Sequence, residues 1–302
     1  MANTLTTVSE TMVMDEVMPA LKLGLLPLNA FSVNYSREEL YVGKSIKVNV
    51  ATAKSAGAYS STFQSGDTTT TGTDVTIAAP RFSSWYVDPK LEAIPTAERW
   101  LASGKEAAYA VAKDVLQLGL ANFVTANIGD SDGTDCATFA AANYDVDDIA
   151  DQWQYLKTKN VTGTISAIHN ISYAASLMKD AALQDKSASG SNLITTGELP
   201  TVLGMRMYYT DAFPTALTNE YTGVIFTGTE TVACAIGAGM VPVSGLEAAA
   251  GVREFVITDP DTGLAFIWRQ WVDSATGIYW GSVYVFTGFT FLRNSATRIL
   301  SA

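Results

Sequence analysis

His169 is the only histidine in the 302-residue chain, so any site that uses an imidazole must use this one. A nucleophile, a base and an orienting carboxylate would all have to meet at this residue. Catalytic zinc usually takes two or three histidines, so the same count argues against a histidine-based metal site. His169 ends a strand-like run, TGTISAIH, and precedes Asn170, which can cap a helix. We therefore expect His169 to have a structural role.

Three short acidic or glycine-rich motifs could bind an ion or a phosphate, but their spacing argues against it. DSDGTDC at 130–136 departs from the calcium-loop pattern, because its glycine is misplaced and Ala141 stands where the bidentate glutamate belongs. DPDTG at 259–263 predicts a tight turn between two strands. GAGMVPVSG at 237–245 lacks the third glycine and the lysine of phosphate-binding loops, and it predicts a plain loop. We expect no metal and no other cofactor.

The aromatic side chains near the end of the chain could form either a sugar-binding platform or a packed sheet face. They lie in neighbouring strand-like runs and are Trp268, Trp271, Tyr279, Trp280, Tyr284, Phe286, Phe289 and Phe291. A packed face is the commoner outcome, because aromatic cross-strand pairs stabilise sheets directly. A carbohydrate-active enzyme would also need a pair of carboxylates, and none stands out from the other acidic residues. We therefore expect a protein that is not an enzyme.

The overall composition predicts a folded chain with a large core, since 48% of the residues are hydrophobic and only 16% are charged. The formal net charge is -11. Binding to nucleic acid needs clustered Lys and Arg to release counterions from the phosphates, so this charge argues against direct or sequence-specific contact with nucleic acid.

Neither a secretory signal nor a membrane span is expected. Glu10, Asp15 and Glu16 stand where a secretory signal needs basic residues. Between Asp273 and Arg293 lie 19 uncharged residues, but glycines and threonines interrupt them and favour a β-hairpin. The two cysteines are 98 residues apart and form neither a disulfide framework nor a metal motif, which is compatible with a reducing cytoplasm.

The first third of the chain predicts an arm followed by a long hairpin. Residues 1–35 are expected to be an extended arm, because Pro19, Gly24 and Pro27 interrupt a weakly amphipathic stretch. From Lys44 the run KSIKVNVATA alternates like a strand, and a Ser-, Thr- and Gly-rich stretch separates it from a second strand-like run, DVTIAAPRFSSWYVD. Isolated two-stranded ribbons are marginal in water, so this hairpin must lie on another part of the protein.

The strongest helical pattern runs from about Thr96 to Asn127, either continuous or interrupted near Ser103 and Gly104. Its last three turns should be buried nearly all round, because the stripe of charged residues stops at Asp114. Two shorter helices follow in DVDDIADQWQYLKTK and NISYAASLMKDAAL, and short β runs fill the chain beyond residue 197.

The order of these parts resembles the Hong Kong 97-type coat proteins of tailed phages. MPALKLGLLPLNAFSVNYS is similar to their amino-terminal arm, and KSIKVNVATAKSAGAYSSTFQSGDTTTTGTDVTIAAPRFSSWYVD to their extended β-hairpin, the E-loop. ASGKEAAYAVAKDVLQLGLANFVTANI is similar to their spine helix. NLITTGELPTVLGMRMYYTDAFP is similar to a family stretch in which a glycine-centred turn precedes a strand.

The resemblance implies an α+β capsid fold with an N-terminal arm, an E-loop, a long spine helix in a peripheral domain, and an axial domain. The implied parts are the arm at 1–35, the E-loop at 36–95, the peripheral domain with the spine at 96–143, the axial domain at 144–255, and strands returning to the peripheral domain at 256–302. The implied contacts with a neighbouring subunit use Lys54, Tyr59 and Phe63 in the E-loop. Some family members cross-link such a lysine covalently, but most lysines are merely solvated.

The implied function is that of a major capsid protein, a homo-oligomer of pentamers and hexamers that encloses double-stranded DNA. It would be assembled in the cytoplasm of a bacterial host and reside in the virion. The arm is too short to be a fused scaffolding segment, so a separate scaffolding protein or none is implied, and portal and decoration proteins are further partners. A tail-tube or surface-layer protein, and a carbohydrate-active enzyme, are the alternatives.

Overall fold

The computed structural model describes residues 8–35, 43–51, 70–78, 80–88, 97–129, 136–138, 140–184, 201–214, 222–228, 233–239 and 251–301. Its helices are α1 (Glu10–Leu25), α2 (Leu28–Phe31), α3 (Ala97–Leu120), α4 (Thr125–Ile128), α5 (Val146–Thr158), α6 (Ile171–Lys179) and α7 (Ala181–Gln184). Its strands are β1 (Ser32–Asn34), β2 (Ser45–Ala51), β3 (Thr70–Thr76), β4 (Arg81–Val87), β5 (Cys136–Thr138), β6 (Ile165–Asn170), β7 (Arg206–Thr210), β8 (Thr222–Gly228), β9 (Cys234–Gly239), β10 (Arg253–Thr258), β11 (Ala265–Val272), β12 (Tyr279–Phe291) and β13 (Ala296–Leu300).

The strands form two main sheets and a separate two-stranded hairpin. The first sheet has the order β1-β9-β12-β11-β10, and β4 also pairs with β12. The second sheet has the order β5-β13-β8-β6-β7, and β2 pairs with β3 in a two-stranded sheet. The chain is therefore a mixed helix and sheet protein, as predicted. The division into five parts stays a prediction, and β13 of the last part lies in the second sheet.

The long helix α3 crosses the first sheet and forms the main core with it. One face of this sheet, called the inner face here, packs against α3 and α1, and the opposite face is called the outer face. Val115, Leu116, Gly119 and Leu120 are buried, which confirms the predicted burial for the end of α3. The prediction is wrong for the rest of the predicted last turns, where residues 121 and 124–126 are exposed. The helix is continuous at Gly104, but it ends at Leu120 rather than at Asn127.

Two asparagines account for the early end of α3. The side-chain amide of Asn122 donates to the carbonyls of Leu118 and Gly119, at 3.0 and 3.2 Å. These bonds satisfy carbonyl groups that the end of a helix leaves unpaired. The side-chain amide of Asn127 then donates to the carbonyl of Asn122, at 2.6 Å, and closes the link to the single turn of α4.

Residues Glu10–Leu25 form a helix, so the prediction of an extended arm is wrong for this stretch. Its buried side chains on the α3 side include Val13, Val17, Leu21 and Leu25, each 0% exposed. Burial of each such side chain contributes about 1.5–3 kcal/mol, so together they outweigh the cost of about 3 kcal/mol for Pro19 inside the helix. Gly24 lets the two helices approach, because a Cβ there would lie 2.7 Å from the Cβ of Ala112.

The second sheet carries its own core with α5 and α6. The predicted caps of these helices are confirmed. Asp145 accepts hydrogen bonds from the backbone N–H groups of Asp147 and Asp148, and Asp148 returns a bond to the Asp145 N–H, which makes a capping box. The side chain of Asn170 accepts from the N–H of Ser172 at the start of α6.

Two of the predicted turns have different outcomes. DPDTG is a tight turn between β10 and β11, as predicted, in which Asp259 accepts from the backbone and hydroxyl of Thr262 at 3.0 and 2.6 Å. The prediction of a loop over 237–245 is wrong at its start, because Gly237 and Gly239 belong to β9. Within the described residues, no helix is long and apolar enough to span a membrane.

Candidate functional site

His169 is fully buried in the second core and is held by two tyrosines. Its Nδ1 lies 3.2 Å from the carbonyl oxygen of Tyr208, which can only accept, so Nδ1 carries the proton. Its Nε2 lies 2.9 Å from the hydroxyl of Tyr144 and accepts from it. Burial lowers the pKa of His169 to about 4, so the imidazole is neutral at physiological pH. These contacts confirm the structural role.

The described residues meet neither the requirements of a metal site nor those of a reactive thiol. Among them no group of three or more His, Cys, Asp or Glu side chains is placed to hold a metal ion. Most of the motif at 130–136 lies outside the described residues. Both cysteines are buried and form no disulfide, and burial raises the pKa of the Cys234 thiol, which disfavours the reactive thiolate.

The aromatic residues of β11 and β12 mostly form packed sheet faces, as predicted. Trp268 is buried on the inner face with Trp85 and Trp100, with ring centroids 4.7 to 5.5 Å apart. Gly104 and Gly281 make room for these rings, because a Cβ on either would lie 2.2 to 2.3 Å from an indole carbon. The result is a rigid joint between α3 and the sheet.

A small cavity lies at the end of this sheet, with Gln270, Tyr279 and Trp280 among its lining residues. Its volume is about 170 Å³. Ligand pockets usually enclose about 300–1,000 Å³, so this one is small even for a sugar ring with its hydroxyl groups.

The base of the β2–β3 hairpin lies on the outer face of the first sheet. Ile46 and Val48 of β2 and Val75 of β3 are buried against Ala235 and Leu292. The predicted alternation of β2 is confirmed, since Ile46 and Val48 are buried and their polar neighbours are exposed. The prediction that the hairpin must lie on other parts of the chain is therefore confirmed for its base.

A pair of glycines lies beneath the hairpin, and we call this pair the glycine notch. Gly237 of β9 and Gly288 of β12 are direct partners in the ladder between these strands. A Cβ on Gly288 would lie 1.9 Å from the carbonyl oxygen of Thr76 in β3, so only glycine fits there without a shift of backbone. Sequence reasoning missed β9, whose small residues give no strand signal.

Beyond the hairpin base, the outer face exposes aromatic side chains. On β4, Trp85 and Val87 point inward and are buried, whereas Phe82 and Tyr86 point outward with 69% and 56% of their surface exposed. The Tyr86 ring lies 5.1 Å from that of Trp280, between centroids. We call Phe82, Tyr86, Trp271 and Trp280 the outer aromatic patch. The alternation in RFSSWYV could have revealed its first two members.

The three residues predicted to contact a neighbouring subunit, Lys54, Tyr59 and Phe63, lie outside the described residues. Their role in assembly stays a prediction. The described part of the hairpin ends at Ala51 on one strand and begins again at Thr70 on the other.

The fold described above matches solved structures of phage capsids, although no protein-family model and no curated protein sequence matches the chain. The chain is similar to the capsid of Ralstonia phage GP4, with a TM-score of 0.60 and 10% identity over 91% of this chain and 90% of that one. It is similar to the capsid of Cyanophage P-SCSP1u, with a TM-score of 0.59 and 12% identity over 91% of this chain and 86% of that one.

A third similar structure is the mature capsid of bacteriophage PhiM1, with a TM-score of 0.55 and 9% identity over 90% of this chain and 86% of that one. Each of these matches covers most of both chains. The chain has the fold of phage capsid proteins. The resemblance to the major coat proteins of tailed phages, which the order of parts indicated, is thereby confirmed at the level of the fold.

Proposed function

We propose that this chain is the major capsid protein of a tailed phage and builds the icosahedral head as pentamers and hexamers of identical subunits. The proposal assigns it to the Hong Kong 97 type, with the β2–β3 hairpin as the E-loop and α3 as the spine helix. Its role is structural and not catalytic. The single observation that carries the proposal is the capsid fold, which extends over nearly the whole chain.

The outer aromatic patch is the surface on which we place the neighbouring subunit. Exposed Phe82 and Tyr86 lie on the same face of the first sheet as the chain's own hairpin base. The hairpin base already buries Tyr284 and Phe286 on that face, and Tyr284 is the direct ladder partner of Phe82. A hairpin from an adjacent copy would continue this burial over the patch. Aromatic side chains are also the residues that interface cores favour.

The charges near the patch favour an apolar contact. Arg269 is paired with Glu254 at 2.7 Å and lies 4.8 Å from the ring centroid of Tyr284. This pair brings no net charge to the region. Contact between two copies of a chain with a net charge of -11 is easier through a neutral surface than through an acidic one.

The acidic composition is compatible with a shell that encloses DNA without binding it tightly. A net charge of -11 disfavours counterion release from phosphates, so the proposal places no sequence-specific contact with DNA on this chain. Many weak and repeated contacts can close such a shell, because multivalency multiplies affinities that are small one at a time.

Electron microscopy of the purified full-length chain tests the proposal, with the chain expressed alone and together with candidate scaffolding proteins. Closed shells tens of nanometres across are expected. Rings or tubes would favour a tail-tube protein, and flat lattices a surface-layer protein. Strictly monomeric protein under every condition would overturn the proposal, and measured glycosidase activity would overturn the non-enzymatic role.

A further inference from the structure

The hairpin backbone packs directly against the sheet backbone at Gly288. A Cβ on this residue would lie 1.9 Å from the carbonyl oxygen and 2.7 Å from the carbonyl carbon of Thr76. Across the ladder, the nearest atoms to a Cβ on Gly237 would be the ends of the Ile77, Val75 and Ile46 side chains, at 3.1, 3.2 and 3.5 Å. The contact at Gly288 is the stricter one, since a backbone carbonyl cannot rotate away as the end of a side chain can.

Hydrogen bonds fasten the hairpin on both sides of this point. The N–H of Ala78 donates to the carbonyl of Thr287 at 3.1 Å. The hydroxyl of Thr290 donates to the carbonyl of Asp74, also at 3.1 Å. A strand resting on one point could pivot about it, but bonds at both Asp74 and Ala78 resist rotation in the plane of the sheet.

Apolar contacts flank the glycine notch and resist tilting out of that plane. Ile77 is buried in a cluster with Ile267, Tyr284 and Phe286. On the other side Val75 and the two buried residues of β2 pack on Ala235. The direction of the hairpin relative to the first sheet is thus fixed by side chains and backbone of the same subunit.

A small tilt at the base of the hairpin produces a larger displacement at its far end. Each of its strands has seven described residues, β2 and β3. At about 3.3 Å per residue, such a strand is about 23 Å long, and a tilt of about 10° at its base moves the far end by about 4 Å. A displacement of this size separates side chains that would otherwise be in van der Waals contact.

We propose that the glycine notch is the element that sets the angle between neighbouring subunits in the shell, because it fixes the direction in which the hairpin leaves its own subunit. This inference rests on the proposed function. The notch sets the geometry of the shell although it lies within one subunit and not at the interface. A side chain introduced into the notch therefore tilts the hairpin without removing any residue that contacts a neighbouring subunit.

The test compares the wild-type chain with Gly288→Ala, Gly237→Ala and the control Gly281→Ala. The control lies on the same strand as Gly288 but on the inner face, where a Cβ would meet the Trp85 ring at 2.3 Å. Hydrogen exchange of the purified full-length chains is measured over residues 43–51 and 70–78, and shell diameter is measured by electron microscopy under the conditions that give wild-type shells.

Gly288→Ala is expected to speed exchange in the hairpin by tenfold or more while α3 and β11 stay protected, and to give no shells or shells of altered diameter. Gly237→Ala is expected to change both readouts in the same direction and less. Gly281→Ala is expected to lower overall stability and to leave the hairpin protection and the diameter of shells from its folded fraction unchanged.

Normal shells from Gly288→Ala would overturn the angle-setting role and leave the proposed function intact. If Gly288→Ala does not fold, Gly237→Ala decides, and wild-type shell diameter from it would overturn the role. Absence of shells from the wild-type chain under every condition would overturn the proposed function, and the angle-setting role with it.

Discussion

The hydroxyl of Tyr144 lies 2.9 Å from Nε2 of His169 and donates to it inside the second core. This bond requires a neutral imidazole, because a protonated His169 would present N–H groups on both sides of the ring. Burial raises the pKa of Tyr144 well above its usual range, so the hydroxyl keeps its proton. The only histidine of the chain thus joins β6 to the turn that precedes α5 and, through Tyr208, to β7.

We predict that acid destabilises the second core through His169. The folded pKa is about 4 and the unfolded value 6.5, so the unfolded chain binds the proton more readily. The stability is fully present above the unfolded pKa and is lost as the pH falls toward the folded one, by about 3 kcal/mol over the whole window.

Urea unfolding at several pH values checks this prediction, with His169→Gln as the control that cannot titrate. Carboxylates also titrate between these pH values, so the informative quantity is the difference between the two chains. The wild-type chain should lose stability more steeply than the variant as the pH falls. Equal slopes would contradict the prediction.

The Trp85, Trp100 and Trp268 cluster should be intolerant of any side chain at Gly104. A Cβ there would lie 2.2 Å from the Trp268 ring, so Gly104→Ala should overpack the joint between α3 and the sheet and cost about 1–3 kcal/mol. Chemical denaturation measures this loss. Lys105→Ala, at the next and exposed position of the same helix, serves as the control and should change stability by less than about 0.5 kcal/mol.

Arg298 should be needed for stability and not replaceable by lysine. Its guanidinium donates to the carbonyl of Phe123 at 3.0 Å and to the hydroxyl of Thr125 at 2.6 Å, so it joins β13 to the segment after α3. Hydrogen bonds from a charged group contribute about 1.5–3 kcal/mol each, so Arg298→Ala should cost about 3 kcal/mol or more. Arg298→Lys should recover only part of this, because an ammonium lacks the planar fork. Full recovery in urea unfolding would argue against this account.

We predict that assembly depends on the outer aromatic patch, whereas folding does not. Phe82→Ser combined with Tyr86→Ser removes exposed rings, so stability should change by less than about 1 kcal/mol while shells are lost. Trp153→Ser is the matched control, since Trp153 is 41% exposed on α5 and outside the patch. Microscopy and denaturation of the same preparations separate the two effects. Wild-type shells from the double variant would remove the patch from the proposed interface.

The features that depend on residues close together in the sequence could be predicted from it. The cap at Asp145 and the alternation of β2 follow from neighbours in the sequence, and both predictions are confirmed. α1 depends instead on burial against α3, and this burial outweighs the cost of the proline within the helix. The residues of α1 alone therefore led to the wrong prediction of an extended arm. The predicted strand-like run DVTIAAPRFSSWYVD divides between Ala78 and Pro80. Its first part ends β3 of the hairpin, and its second part forms β4 of the first sheet. Only the partner strands decide that division.

The glycine notch could not be predicted from the sequence for a related reason. Gly237 and Gly288 are 51 positions apart, and only the ladder between β9 and β12 brings them together. Neither lies in a motif with a known chemistry. The outward direction of Phe82 and Tyr86 follows from strand alternation, but their exposure depends on where the hairpin base ends.

The hairpin base packs on the first sheet of its own chain. The seven residues of β2 and the seven of β3 lose their conformational freedom during folding of the single chain. Fixing one residue's backbone costs about 1–2 kcal/mol, and a base that ordered only on contact would subtract this loss from the affinity between subunits. Under the proposed function, a base that is already packed would let weak contacts hold a shell together, and a misplaced subunit could dissociate without unfolding.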